Sequence, residues 1–420
     1  MMLSFRRPGT AVVLLALVAA GLTACRGGSV DSDAATGDSV CPATVPGLTS
    51  NSITLGGTYP LSGTYGAYGQ EAIGAEAWFK HLNDAQGGFK LANGQTLKIV
   101  FKYKDDAYAP QQSLANVKSL VENDNVFMIF NSFGTNTSLA IRDYLNQQKV
   151  PQLFTATGAS AIAKSDPKYP WTGGFTPSYY DEGRTWATYL LQAHPDAKIG
   201  VVYQNNEIGT DTLGGLKDGL GSKASAIVSA VSYETTDATL NNQVSQVKAS
   251  GADVFVAIAS GSFAPQAIKQ AAALGWKPKE FLMPRGSSSV AATINPAGPQ
   301  NAIGLAAVSY QKDPSDPAYG SDPGVTAFKE VQQKYAPNSN VNDGNFEGGV
   351  LVAQLLQNLV EGMKQPLCRQ TITDAARTTT LSSPLFLPGI DSKMPISKFK
   401  LQKWTGTKFE LFGDVINVEH

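Results

Sequence analysis

Two loops of small residues hold the groups best suited to chemistry. Asn131-Ser-Phe-Gly-Thr-Asn-Thr-Ser138 and Thr155-Ala-Thr-Gly-Ala-Ser160 collect hydroxyls and unencumbered backbone N–H groups. Each follows a short apolar run, Val126–Phe130 or Val150–Phe154. The first must also start a helix, so its N–H groups collect at the positive end of a helix dipole. A ligand carboxylate fits such a place. The plainer reading is that Asn136 or Thr137 only caps the helix.

The elements that position these loops can be read around them. A continuous apolar run bounded by small polar residues reads as a strand buried on both faces. Here two such runs flank a helical pattern from Leu139 to Gln148, which makes a βαβ unit. Before it come a strand from Ile53, a loop with Gly63, Tyr65, Gly66, Tyr68 and Gly69, and a helix from Glu71 to Ala85. A strand Leu97–Tyr103 and a helix Pro110–Glu122 complete that half. After Trp171 the alternation restarts, with strands at 199–203, 227–233, 254–259 and 281–283 and helices between them. The fold class is α/β: two doubly wound, mostly parallel sheets whose ligands bind at the carboxyl ends of the strands. The helical patterns 324–335 and 344–362 are followed by no buried parallel strand, and 396–404 can pair with 408–415 as a hairpin. The chain therefore returns to the first lobe and re-enters the second. The expected lobes are 51–176 with 311–395, and 177–310 with 396–420, joined by a multi-crossing hinge.

Composition bounds the class. At 420 residues, 42% hydrophobic and 16% charged, with formal net charge -1, the chain is globular and has no excess charge to draw it to nucleic acid. Arg6 and Arg7 precede an apolar stretch, Ala11–Ala20, too short to span a bilayer with margin and laid out like a signal peptide over 1–24. Leu22-Thr23-Ala24-Cys25 resembles a lipobox, which implies that Cys25 is diacylated and that the chain is exported and held to the outer face of the membrane by lipid alone. Residues 25–50, rich in Gly, Ser, Asp and Thr, read as a flexible tether. Of the three cysteines, Cys41 and Cys368 remain; in an oxidising compartment they are expected to pair, the alternative being two free thiols.

Catalytic patterns are missing. There is no GxSxG elbow, no HExxH, no paired CxxC and no GxGxxG, and Gly63, Gly66 and Gly69 are spaced for a flexible loop rather than a dinucleotide turn. His81, His194 and His420 sit where none makes a triad member. Ser165–Lys168 and Ser245–Lys248 fit SxxK without an accompanying KTG. Asp105-Asp106 and Asp181-Glu182 read as a strand end and a helix start. The sequence is expected to be no enzyme and to need no cofactor or metal.

From Ile53 onward the chain resembles the type I periplasmic binding proteins, in the cluster typified by the leucine/isoleucine/valine-binding protein of bacterial ABC transporters. The resemblance rests on PLSGTYGAYGQEAIGAEAWFKHLNDAQGG, VFMIFNSFGTNTSLAIRDYL, VPQLFTATGAS and ADVFVAIASGSFAPQAIKQAAALGWKPK, in that order and spacing. It implies a monomeric two-lobed receptor that captures a small carboxylate-bearing or amino-acid-like solute and passes it to a membrane ABC permease. A ligand-sensing receptor subunit is the alternative, and an exported hydrolase a more distant one. Carried over by position, the carboxylate grip falls on Phe133, Gly134 and Thr135 and on Ala156, Thr157 and Gly158. Tyr65 and Tyr68 supply an aromatic wall, or pack on their own helix. Ser260 and Phe263 face them from the second lobe. Three positions depart from the pattern: Gly134 replaces a serine, Ile208 replaces an aromatic residue over the ligand, and Arg285, in MPRGSSS, stands where amino-acid binders hold the ammonium with an acidic residue. A guanidinium there repels an ammonium and favours a carboxylate, phosphate or carbonyl oxygen, unless it turns away to a lobe carboxylate.

Overall fold

The computed structural model describes residues 40–418. The first sheet is ordered β2-β3-β1-β4-β5-β6, from β1 (Ser52–Tyr59), β2 (Phe89–Lys90), β3 (Thr96–Asp105), β4 (Met128–Phe130), β5 (Gln152–Thr155) and β6 (Thr172–Gly174). All its pairings are parallel except β2 with β3. The intervening helices are α1 (Gln70–Gln86), α2 (Pro110–Glu122), α3 (Thr135–Gln147) and the single turn α4 (Ser160–Ala163).

The second sheet reads β13-β12-β11-β10-β9-β7-β8. Its strands are β7 (Ile199–Gln204), β8 (Ile227–Tyr233), β9 (Val254–Ile258), β10 (Glu280–Leu282), β11 (Leu305–Ser309), β12 (Lys398–Trp404) and β13 (Phe409–Asn417). The first five run parallel, and β12 and β13 add an antiparallel hairpin at the edge. Helices α5 (Tyr179–Ala193), α6 (Glu207–Leu220), α7 (Asn241–Ala249), α8 (Phe263–Ala273) and the short α9 (Asn295–Ala297) accompany it. Between β11 and β12 the chain forms α10 (Pro323–Tyr335), α11 (Gly344–Gly362) and α12 (Arg369–Thr378), which pack with α1 and β6 of the first sheet. The α/β class is as expected; β2, β6 and α12 carry too short or too polar a pattern to have been read, and α3 starts four residues before Leu139, inside the loop itself.

Each sheet is covered on both faces, which is why its central strands read as unbroken apolar runs. Val117, Leu120, Ile141 and Leu145 of α2 and α3 close one face of the first sheet; Phe79, Val350 and Leu355 of α1 and α11 belong to the core on the other. α11 is apolar nearly all round and correspondingly buried. It approaches α1 closely because both carry glycine at the crossing: a Cβ at Gly74 would lie 2.1 Å from the Phe346 carbonyl oxygen, and one at Gly349 2.0 Å from that of Glu71. In the second sheet Trp186 and Leu216 of α5 and α6 fill one side, and Val244 and Ile268 of α7 and α8 the other.

Part of the segment expected to be tether is fastened to this body. Cys41 is disulfide-bonded to Cys368, with Cα atoms 5.7 Å apart, Val45 and Leu48 pack against the first core, and the Thr54 N–H donates to the Gly47 carbonyl at 2.7 Å. Polar composition hid these few apolar anchors. Cys25 and the expected signal peptide lie outside the described residues.

Candidate ligand-binding cleft

The carboxyl ends of the strands in both sheets face one another, and the loops leaving them form the cleft. Its lobes are shut. The Tyr65 hydroxyl donates to Gln204 Oε1 (3.2 Å), and the Tyr68 hydroxyl accepts from the Gly261 N–H (3.0 Å). The Ser262 N–H reaches the Thr64 carbonyl (3.2 Å), and the Ser160 N–H reaches Asp211 Oδ2 (2.7 Å). Gln204 is the hub on the second lobe: its Oε1 also accepts from the hydroxyls of Tyr233 (2.9 Å) and Ser260 (2.6 Å).

Inside remains a cavity of about 50 Å3 walled mainly by aromatic rings. Tyr65 stacks on Tyr108 with centroids 3.9 Å apart, and Tyr68 stacks on Phe133 at 4.5 Å. Tyr179, Ile208, Ala156, Ser260 and Ser287 complete much of the lining. Among the described lining residues there is no carboxylate, ammonium or guanidinium. Burial pushes the phenols of Tyr65, Tyr68, Tyr108 and Tyr179 upward, so all four keep their protons at neutral pH.

The two small-residue loops sit where they were expected, but their donors are engaged. The Phe133 N–H bonds the Thr58 carbonyl (3.3 Å), that of Gly134 the Ala156 carbonyl (3.2 Å), that of Ala156 the Ser132 carbonyl (2.9 Å) and that of Thr157 the Thr155 carbonyl (2.9 Å). The remaining two face phenol oxygens: Thr135 N–H faces the Tyr108 hydroxyl, and Gly158 N–H the Tyr179 hydroxyl. The Thr135 and Thr157 hydroxyls bond each other (2.7 Å), and the Thr157 hydroxyl also reaches Tyr179 (3.4 Å). Tyrosine oxygens thus occupy the helix N-terminus that a carboxylate would use.

Tyr108 was missed in the sequence and explains Gly134. It leaves β3 in the stretch Asp105-Asp106-Ala107-Tyr108-Ala109-Pro110, held by Asp106, which accepts its N–H (2.9 Å) and the hydroxyls of Thr58 and Ser113 (2.8 Å each). Ala107 (φ 47°) and Tyr108 (φ 63°) are both left-handed, a conformation non-glycine residues adopt at a cost of about 1–3 kcal/mol each. Gly134 has φ 94°, and a Cβ there would lie 2.3 Å from Tyr108 Cε2. A serine at 134 and the Tyr108 ring exclude each other. An aromatic residue just before the proline that opens α2, at the carboxyl end of a strand, was the available signal.

Four expected site residues, Thr157, Gly158, Phe263 and Arg285, do not line the cavity; the first two stand behind Tyr179, and the other two lie elsewhere. Phe263 is buried in the second core against Tyr233, with centroids 4.8 Å apart, because α8 starts at that residue and turns its apolar face to β9. Arg285 does not line the aromatic cavity; Gly286 and Ser287 do. Its backbone N–H donates to Glu182 Oε1 (2.9 Å), its guanidinium donates to Gln311 Oε1, and the head lies 4.4 Å over the Tyr310 ring. It therefore turns toward the crossing between sheets rather than to a lobe carboxylate. Buried Glu71 and Glu182 lie near enough to feel its charge; burial nevertheless raises them, to about 8 and about 7 respectively.

The sequence matches the periplasmic binding protein family over residues 52–407. The chain belongs to the periplasmic binding protein family. Its members bind solutes outside the cytoplasm and are not enzymes. A relative, Leu/Ile/Val-binding protein homolog 7 of Brucella abortus (strain 2308), is 24% identical over 336 residues, covering 76% of this chain and 80% of that protein. The fold is shared with a Thermus thermophilus branched-chain amino acid ABC transporter protein with bound valine (TM-score 0.72, 17% identity, covering 88% of this chain and 97% of that one). It is shared also with an R. palustris ABC transporter solute-binding protein in complex with benzoate (TM-score 0.68, 19% identity, 88% and 98% covered). Among the described residues of this binding protein no helix is long and apolar enough to cross a membrane.

Proposed function

We propose that this binding protein is the lipid-anchored, monomeric receptor of an ABC importer and captures a small aromatic carboxylic acid in the interlobe cleft. The observation that carries the reading is the wall itself: five aromatic rings with no charged side chain among the described residues lining it. Such a wall stacks on an aryl group and offers an ammonium no counter-ion. The carboxylate's place is between the N-terminus of α3 and the loop after β5, where the Thr135 and Gly158 N–H groups face phenol oxygens that a stronger acceptor displaces. A benzoate exceeds the space left in the shut cleft, so entry requires Tyr108 to yield. The solved relative with benzoate supports the class, and the one with valine marks the competing one. Residues 1–24 are then the signal peptide and Cys25 the lipidated residue, with the lobes divided as the chain order indicates.

The test is calorimetric titration of the purified protein with benzoate, 4-hydroxybenzoate, leucine and valine. Binding of the benzoates, weakened about tenfold or more by Tyr65→Ala through the loss of ring stacking, is expected. Saturable binding of leucine or valine with none of either benzoate would refute the assignment.

A further inference from the structure

A second cavity, of about 60 Å3, opens where the chain crosses between the sheets, and Gly286 is shared between its wall and that of the aromatic cavity. The loop after β10 (Arg285, Ser289), the crossing itself (Gln311, Asp313) and the first turn of α11 (Asn345, Glu347) build most of it, and Gln402 of β12 and Phe409 of β13 complete the wall. Its polar groups are left incomplete in one sense. Asn345 is 4% exposed and its Nδ2 faces the Asp343 carboxylate without a well-formed bond; Glu347 is 1% exposed and its Oε1 has no partner, although Oε2 accepts from Gln311 Nε2 at 2.7 Å. Arg285 bonds a neutral amide and covers a ring, and makes no ion pair among the described residues. The other cation in the wall, Lys312, is consumed by Asp322 (2.6 Å) and the Pro384 carbonyl (2.8 Å), and Asp313 accepts from Ser315. Burial, with Asp313 nearby, raises Glu347 well above its ordinary value, which weakens the charge it sets against an anion.

The unused groups include two sets of donors, the guanidinium N–H groups and a primary amide. An unpartnered buried donor costs about 1–3 kcal/mol, so a site with this many calls for an occupant made of acceptors. Water-sized space is about 30 Å3, which makes the cavity suitable for a planar group of a few heavy atoms. We infer that the hinge cavity is a second carboxylate subsite, with Arg285 and Asn345 as its donors, and that its occupant fastens the two lobes because Arg285 belongs to one and Asn345 to the other. This goes beyond the aromatic-acid reading and does not depend on it. The carboxylate has two available sources, a free small acid or the second acid group of a solute whose ring lies in the aromatic cavity, since Gly286 borders both.

Titration with acetate, benzoate and benzene-1,4-dicarboxylate separates them, using wild type, Arg285→Ala, Arg285→Lys, Asn345→Asp and Tyr65→Ala. With a free acid as the source, acetate binds saturably with a Kd on the order of 1 mM. That binding is weakened tenfold or more by Arg285→Ala and Asn345→Asp, and by less in Tyr65→Ala, which removes one bond between the lobes. With the solute as the source, the dicarboxylate binds at least tenfold more tightly than benzoate, and Arg285→Ala removes that gain. Because Asn345→Asp keeps side-chain size and Arg285→Lys keeps charge, circular dichroism on these two shows whether a loss reflects misfolding. The inference is overturned if wild type neither binds acetate nor prefers the dicarboxylate, or if both affinities survive Arg285→Ala and Asn345→Asp. Failure of benzoate alone, with acetate still bound, removes the aromatic-acid reading and leaves this one standing.

Discussion

At the aromatic end of the cleft the N–H groups of Phe133, Gly134, Thr135, Ala156, Thr157 and Gly158 each face an oxygen, two of them borrowed from tyrosines. At the hinge end, on α11, Asn345 Nδ2 and Glu347 Oε1 form no such bond. The backbone donors of the two loops are satisfied at the first end, although Gln204 Nε2 there has no partner, and the side-chain groups of the second are not. A satisfied site discriminates by exchange, since an incoming group must replace a hydrogen bond already present; an unsatisfied one gains the whole bond, because no internal partner is lost. Shape then governs the first end and polarity the second.

The largest effect should come from refilling the aromatic end. Gly134→Ser forces a side chain onto φ 94° and into the Tyr108 ring, and should cost about 2–4 kcal/mol in chemical denaturation. Tyr108→Ala in that background should recover the part due to the collision but not the part due to the backbone. No recovery would mean that the two residues do not compete for one space, and full recovery that the backbone conformation at 134 adds nothing.

A smaller effect sharpens the idea of exchange. Tyr108→Phe keeps the ring and removes the oxygen on Thr135 N–H, so benzoate should bind up to about tenfold more tightly, the worth of one hydrogen bond no longer displaced. Calorimetry showing weaker binding would move the carboxylate to another place.

The smallest effect concerns the hinge end and pH. Glu71, whose carboxyl feels Arg285, is raised by burial from 4.5 to about 8. Between those values the folded chain holds a proton that the unfolded chain has lost, so stability falls as pH rises through that window and levels off above about 8. Asp105, Asp253, Asp322 and Asp391 are lowered and act in the opposite sense, below 3.8. The Tm of Glu71→Gln should therefore decline less steeply than that of wild type between pH 4.5 and about 8, with benzoate affinity unchanged. Parallel Tm curves would show Glu71 to be uncoupled from folding.

The fold could be read in the sequence because buried parallel strands leave unbroken apolar runs, as at Val126–Phe130 and Val254–Ala259, and because helix patterns separate them. What the resemblance placed in the cleft lines it where the backbone decides position: Phe133, Gly134, Thr135, Ala156 and Ser260. Side-chain direction places others outside that lining. Phe263 turns with its helix into the core, and Arg285 follows Gln311 and Tyr310 to the hinge. Neither direction is written in spacing. Tyr108 escaped because its role depends on two consecutive left-handed residues, Ala107 and Tyr108, which no propensity favours. Asn345 and Glu347 read as an ordinary helix start, and only the crossing of the chain beside them gives them a cavity to face.

The bond between Cys41 and Cys368 spans 327 residues of sequence and fixes the start of the described chain to the N-cap of α12. Directly beyond that cap, Arg369 donates to the carbonyls of Phe127 and Val126 (2.8 Å each) at the foot of β4. A pulling force applied near residue 40 is therefore borne by a covalent strut into the base of the first lobe, and β1, although it follows Cys41 in the chain, is spared from being peeled off its sheet.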